Sequence, residues 1–224
     1  MTTTDAGGQV AARARGPYAK TAERRLAILE AATEVFAERG WRAASLRQIA
    51  EAAGISLSTL QHHFPSKVEL LHATMTHRDE HRFERAPGAL PSFPQTVVGQ
   101  AVANEGVPRL IQLYSVLTAE SATAEHPARD YFAQRFASLR EEYAAEFAAL
   151  GAAGALRPGV DPATAAALLI GLWDGVQLQW LHDPDAIEPA EALVAYLGLV
   201  IDDEALLPSA AQRARWRSDG IVSA

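Results

Sequence analysis

The chain has 224 residues, no cysteine, a net charge of −7 and 49% apolar residues. That composition supports a substantial core and leaves disorder to the ends. It excludes disulfides and thiolate metal sites and fits a reducing, cytoplasmic setting. The first twenty residues lack the apolar run of a secretory signal. The longest apolar-rich stretch, Ala163–Leu181, carries Asp174, Gln177 and Gln179, so it reads as a buried helix with no membrane partner.

The charge is unevenly placed. Residues 1–85 hold 12 Lys or Arg against 10 Asp or Glu, and residues 86–224 hold 8 against 17. Arg13, Arg15, Lys20, Arg24 and Arg25 form a basic arm. Such an arm reads either as a phosphate-binding device or as a solvated, disordered tail, so net acidity does not exclude DNA.

In chain order, Leu26, Leu29, Thr33 and Phe36 recur at helical spacing, with Ile28, Ala32 and Val35 widening the stripe, until Gly40 stops it. Ser45 with Gln48, and Ser66 with Glu69, are capping-box pairs that start two further helices. Between them, "SLRQIAEAAGISLSTLQHHFPSK" breaks at Gly54 and restarts at Ser56. Two short helices packed steeply around a residue that tolerates a left-handed backbone describe a helix-turn-helix. Leu60, His63 and Phe64 then share one side of the second helix. Ser58, Gln61 and His62 share the other, with Leu57 at its edge. A polar face of that kind suits a major groove, where Gln pairs with adenine.

Pro87, Pro91 and Pro94 make 86–94 a connector. Helices are predicted near 95–105, 108–124, 128–150, 161–182 and 189–204, with Asp161-Pro162 a strong helix start. No alternating β-branched run occurs, so the fold is all-α. The predicted layout is a disordered basic arm at 1–16, a helix-turn-helix domain at 17–64 and a linking helix at 65–85. A C-terminal helical domain at 86–204 and a tail at 205–224 follow.

Residues 17–71, from "PYAKTAERRLAILEAATEVF" through "HHFPSKVELL", resemble the DNA-binding domain of the TetR family of transcriptional regulators. "LIQLYSVLTAESATAEHPARDYFAQRF" (110–136) and "GLWDGVQLQWLHDPD" (171–185) resemble a C-terminal domain of the BetI type. The resemblance implies a homodimer on a palindromic operator, usually a repressor, released by a small-molecule effector, with no cofactor and no catalysis. It places Ser45, Arg47 and Gln48 at the DNA-facing start of the second helix and Leu57, Ser58, Thr59, Gln61 and His62 on the reading face. Lys67, at the start of the fourth helix, would hold phosphate. The chain departs from the common pattern at Gln61, where many members have tyrosine, and at Leu57, often polar, so an operator cannot be borrowed. His63 is expected to be an inward, hydrogen-bonded histidine.

Tyr114, Tyr131, Phe132, Phe136 and Trp173, with Arg135, Asp174 and Gln177, mix aromatic walls and polar points as an effector cavity would, or else fill core. Gly171 and Gly175 permit close helix approach beside Leu168, Leu172 and Leu178. In the resembled family the last long helices form the dimer interface, which adds Leu193, Tyr196, Leu197 and Val200. His77 and His81 share a helix face but lack a disciplined third ligand, so no metal is expected. Glu141, Glu142 and Glu146 read as a solvated face. Two rival readings remain: a DNA-binding dimer indifferent to ligands, and a helical enzyme with a vestigial DNA-binding domain.

Overall fold

The computed structural model describes residues 17–80 and 92–219. Ten α-helices follow in order: α1 (Pro17–Ala43), α2 (Leu46–Ala52), α3 (Leu57–His63), α4 (Lys67–Glu80), α5 (Phe93–Glu105), α6 (Pro108–Ser121), α7 (Arg129–Ala152), α8 (Pro162–His182), α9 (Pro189–Val200) and α10 (Ala210–Asp219). Among the described residues no strand forms; one antiparallel bridge, Leu156 to Ile201, ties the end of α7 to the end of α9. The arm at 1–16 and most of the 86–94 connector lie outside the described residues.

Local signals set the helix boundaries. Ser45 accepts from the Gln48 amide at 3.3 Å while Gln48 Oε1 accepts from the Ser45 amide at 3.0 Å, a complete capping box. At the turn, Gly54 takes φ 65°, and the Ile55 amide donates back to the Ala50 carbonyl at 3.0 Å. Ser56 then caps α3 through the Thr59 amide (3.1 Å). Ser66 caps α4, and Asp161 caps α8 by accepting from the Thr164 amide at 2.8 Å. The Thr164 hydroxyl (2.7 Å) and then its amide hold the exposed Asp161 carboxyl below its ordinary pKa.

Two apolar clusters organise the chain. In the first, Ile28, Val35 and Phe36 of α1 enclose Ile49, Leu60, Phe64, Leu70, Leu71 and Met75, together with Leu113, Tyr114 and Leu117 of α6. The helix-turn-helix therefore shares its core with α6. Leu26, expected in that stripe, lies instead at the surface, because α1 extends past the edge of the domain. The second cluster joins Val98 and Val102 of α5 to Phe147, Leu169, Leu193, Leu197 and Trp216. Trp216 belongs to α10, so the tail is an ordered helix as far as 219. Arg217 strengthens that seat through Glu105 (2.9 Å) and Glu188 (2.9 Å), and Arg213 pairs with Glu191.

Candidate nucleic-acid interface and ligand cavity

Leu60 and Phe64 anchor α3 in the core, and the opposite side faces solvent. Leu57 (39% exposed), Ser58, Gln61 and His62 form that outward face. Thr59 is half-buried, its hydroxyl 2.8 Å from that of Ser56. Arg47 and Ser45 are exposed at the start of α2, and Gln48 is half-buried in the capping box. His63 is half-buried as expected, but its ring has no hydrogen bond among the described residues; it meets His62 edge-on at 5.7 Å. Burial, then the neighbouring His62, Arg24 and Arg25, hold its pKa below the ordinary value.

Lys67 differs from its expected role. Its ammonium turns inward, donating to the carbonyls of Trp41 (2.6 Å) and Ala44 (2.7 Å), and sits 4.3 Å from the Trp41 ring centroid. Two of its three donors are thus committed to the α1–α2 corner. Burial lowers its pKa, and Glu120 partly opposes this.

A cavity of about 220 Å³ lies between α5, α6, α7 and α8. It brings together Tyr114, Arg135, Phe136, Trp173, Asp174 and Gln177, six of the eight residues expected there. Tyr131 and Phe132 stand behind the wall. Tyr131 Oη is 2.8 Å from Tyr114 Oη, and Phe132 packs edge-on to both rings, so they position Tyr114. The guanidinium of Arg135 lies 5.3 Å from the Tyr114 ring centroid. Asp174 is solvent-exposed at the cavity mouth, and its side chain has no hydrogen-bonding partner among the described residues. Desolvation raises its pKa, and Arg135 pulls the other way.

Sequence reasoning missed the α5 wall: Phe93, Thr96, Gln100 and Asn104. Their spacing forms a helical stripe that could have marked them. Phe93 meets Tyr143 edge-on at 5.2 Å, and Tyr143 also lines the cavity. Glu142, read as solvated surface, lines it too, because α7 turns that residue toward the mouth. A second cleft of about 370 Å³ opens between α1, α4 and the α5–α6 corner and shares Gln100 and Asn104. His77 borders this cleft; His81 lies outside the described residues.

The expected dimer face divides in two. Leu168 (57% exposed) and Gly171 lie on the open side of α8, with Leu178 exposed at the rim of the cavity that it also lines, and a Cβ on Gly171 or Gly175 would meet nothing among the described residues. Leu193 and Leu197, by contrast, are buried in their own subunit, which corrects their assignment to the dimer face. Tyr196 donates to the Ala165 carbonyl at 2.7 Å, pinning α9 to α8 internally. Leu172 and Val200 are half-buried against the same core. The large apolar residue that α9 turns outward is Leu199, 73% exposed and not anticipated.

This arrangement is a helix-turn-helix domain seated on a helical domain with a cavity. Two family models match it: bacterial regulatory proteins of the tetR family over residues 28–74, and the C-terminal domain of BetI-type transcriptional repressors over 100–200. The chain belongs to the TetR family of DNA-binding transcriptional regulators, a family without enzymatic activity, and carries a BetI-type C-terminal domain. It is similar to the HTH-type transcriptional activator FasR of Mycolicibacterium smegmatis, with 46% identity over 61 residues, 27% of this chain and 28% of that one. It also resembles the repressor KstR2 of Mycobacterium tuberculosis, with 52% identity over 48 residues, 21% and 24% of the two chains. The matched segments thus span about a quarter of these curated relatives. Among solved structures, NalD of Pseudomonas aeruginosa, the secondary repressor of the MexAB-OprM multidrug efflux pump, aligns over 82% of this chain and 99% of its own. The identity is 26% and the TM-score 0.64. Salmonella enterica GusR aligns over 80% and 95%, at 25% identity and TM-score 0.63. No described helix is long and apolar enough to cross a membrane.

Proposed function

We propose that the protein is a cytoplasmic repressor that binds a palindromic DNA operator as a homodimer and releases it when a small molecule fills the α5–α8 cavity. The observation that carries this reading is α3. Its inner side is locked by Leu60 and Phe64, and its outer side presents Leu57, Ser58, Gln61 and His62 to solvent, with only the Ser58 hydroxyl (2.9 Å from that of Ser56) and the His62 ring (edge-on to His63) engaged locally. Gln61 is the natural base reader, and Leu57 suits a thymine methyl. Ser45, Arg47 and the exposed start of α2 supply phosphate contacts. Lys67 acts instead as the bolt between α4 and the end of α1.

A two-fold dimer sets two such heads roughly 34–36 Å apart, one turn of DNA. The apolar strip of Leu168, Leu178 and Leu199, interrupted by the open Gly171 and Gly175, supports packing against a second copy. The cavity supports a small effector. Its volume is below the roughly 300–1,000 Å³ of drug-sized sites, and Asp174 waits without a donor among the described residues. An effector offering a cationic or hydrogen-bond-donating group to Asp174 and an apolar body to Trp173 and Phe136 fits best. FasR activates and KstR2 represses, though both match through the DNA-binding segment, so repression here is supported by the BetI-type C-terminal domain.

The test is operator selection from a random DNA pool, followed by fluorescence anisotropy with wild type and Gln61→Ala. The expected result is a selected palindrome whose preference relaxes at one base pair per half-site in the variant, by about 1–3 kcal/mol. Recovery of no preferred sequence by the wild type would refute the regulator reading.

A further inference from the structure

Among the polar contacts that join the DNA-binding domain to the cavity domain, one carboxylate reaches into the backbone of α1. Helix α1 breaks at Gly40, where φ is 69° and ψ is 176°. Glu120, in the last turn of α6, reaches into that break. Its Oε2 accepts the Trp41 amide at 2.7 Å, and its Oε1 occupies space that a Cβ on residue 40 would need, 2.6 Å away. Gly40 therefore supplies both the left-handed turn and the notch for the carboxylate. The same corner holds the HTH from its other side, because the Trp41 and Ala44 carbonyls accept Lys67 at the start of α4. Through these bonds the position of Glu120 fixes the end of α1, and so the setting of α2 and α3.

A second donor stands beside the first. His126 is only 7% exposed and packs edge-on against Trp41, with ring centroids 5.8 Å apart. Its Nδ1 accepts the Ala128 amide at 3.1 Å, which leaves the proton of the neutral ring on Nε2. That buried Nε2 has no hydrogen-bond partner among the described residues and lies 3.8 Å from the same Glu120 Oε2. A buried donor without an acceptor is a costly arrangement, and a small shift of α6 relieves it. Ser115, Thr118 and Ala119, on the turn before Glu120, line the cavity.

We propose that Glu120 is a two-position clasp: on the Trp41 amide it holds the helix-turn-helix in its DNA-reading setting, and displacement of α6 by a molecule in the cavity transfers it to His126 Nε2. Glu120 is a positioning residue in this scheme and touches no DNA. The inference rests on the DNA-binding reading above, and its test separates the two.

The experiment combines backbone hydrogen exchange over residues 38–46 with anisotropy on the selected operator, using the full chain. Glu120→Ala and the shorter Glu120→Asp should both speed exchange at the α1 break and weaken operator binding about tenfold, within the range typical of coupled sites. Exchange in α8 should be unchanged. Glu120→Gln keeps a carbonyl for the Trp41 amide and should stay within about threefold of wild type, on the scale of a neutral hydrogen bond replacing a charged one. His126→Phe removes only the second seat and should bind operator at least as well as wild type. The proposal is overturned if exchange at the break is unchanged in both Glu120→Ala and Glu120→Asp, or if they bind operator like wild type despite faster exchange. It is equally overturned if His126→Phe is as damaging as Glu120→Ala. If wild type selects no operator, the DNA reading fails first, and exchange alone decides whether Glu120 secures the break.

Discussion

Replacing Lys67 with methionine distinguishes a phosphate contact from a structural bolt. Methionine preserves most of the apolar stem and removes the ammonium, leaving the Trp41 and Ala44 carbonyls, now 2.6 and 2.7 Å from Nζ, without their donor. Two hydrogen bonds from a charged donor are worth about 3–6 kcal/mol before the cost of burying the charge. The contact with the Trp41 face adds about 0.5–1 kcal/mol. Burial lowers the lysine pKa, so desolvation consumes part of that gain, and in the variant water reaches the half-buried Trp41 side of the site while Ala44 stays buried. A net loss of about 2 kcal/mol follows, which for a chain of this size lowers Tm by about 4–8 °C. The salt dependence of operator binding should keep its slope, since no phosphate contact is lost; a phosphate-binding lysine would reduce the slope by about 0.9. Thermal melting by circular dichroism and anisotropy at four salt concentrations measure both. An unchanged Tm with a shallower slope would show that Lys67 turns outward on DNA and would refute the reasoning.

Three further outcomes follow from the geometry. Gly175→Ala should raise the helix propensity of α8 by about 1 kcal/mol per subunit, yet separate the dimer in sedimentation equilibrium if α8 packs on its twin. A variant that stays dimeric and melts higher would place the interface elsewhere. Asp174→Asn should raise Tm slightly at neutral pH, since the carboxylate is solvent-exposed at the cavity mouth and only partly desolvated. The folded pKa lies above the ordinary 3.8, so the folded state holds that proton more tightly, stability falls as pH rises through this window, and the ionised group is a net cost above it. The gain should vanish below pH 3.8, where both states are protonated; a gain that persists there has another cause. His63 and His126 both have pKa values lowered chiefly by burial, so the unfolded chain binds protons first. Stability should then fall as pH drops below 6.5 and level off beneath the folded values. A Tm that is flat from pH 7.5 to 5 contradicts this.

Features set by neighbours within four residues were legible in the sequence. The Ser45–Gln48 box, Gly54, Ser66 with Glu69, and Asp161-Pro162 each announce a boundary through a bond that closes locally, and the structure contains those bonds. What the pattern leaves open is which partner a given face meets. Leu168 and Leu199 are exposed while Leu193 and Leu197 are buried, yet all four are leucines on amphipathic helices. Only the crossing of α8 and α9, fixed partly by the Tyr196 bond to Ala165, decides between core and open face. Lys67 was ambiguous for a related reason: four methylenes let an ammonium at a helix start reach either a phosphate or its own protein. The break at Gly40, 27 residues before it, supplies the inward acceptors, and no local pattern reports that.

The placement of α6 would give the proposed coupling its physical basis. Leu113 and Leu117 are embedded in the core beneath the helix-turn-helix, while Ser115, Thr118 and Ala119 on the same helix face the cavity. Tyr114 belongs to both, with its ring on the cavity and its hydroxyl against Tyr131 and, at 3.4 Å, the Met75 carbonyl of α4. A close-packed helix cannot yield on one face while holding still on the other, because neighbouring cores tolerate discrete repacking and not continuous compression. A molecule that presses on Tyr114 and Thr118 therefore moves Leu117 and Glu120 together, and the Trp41 amide is the polar contact with most to lose. Ligand affinity and operator affinity would then oppose each other by the same factor, as linkage requires. A cavity filled without any change in exchange at the α1 break would separate the two domains energetically, despite their shared helix.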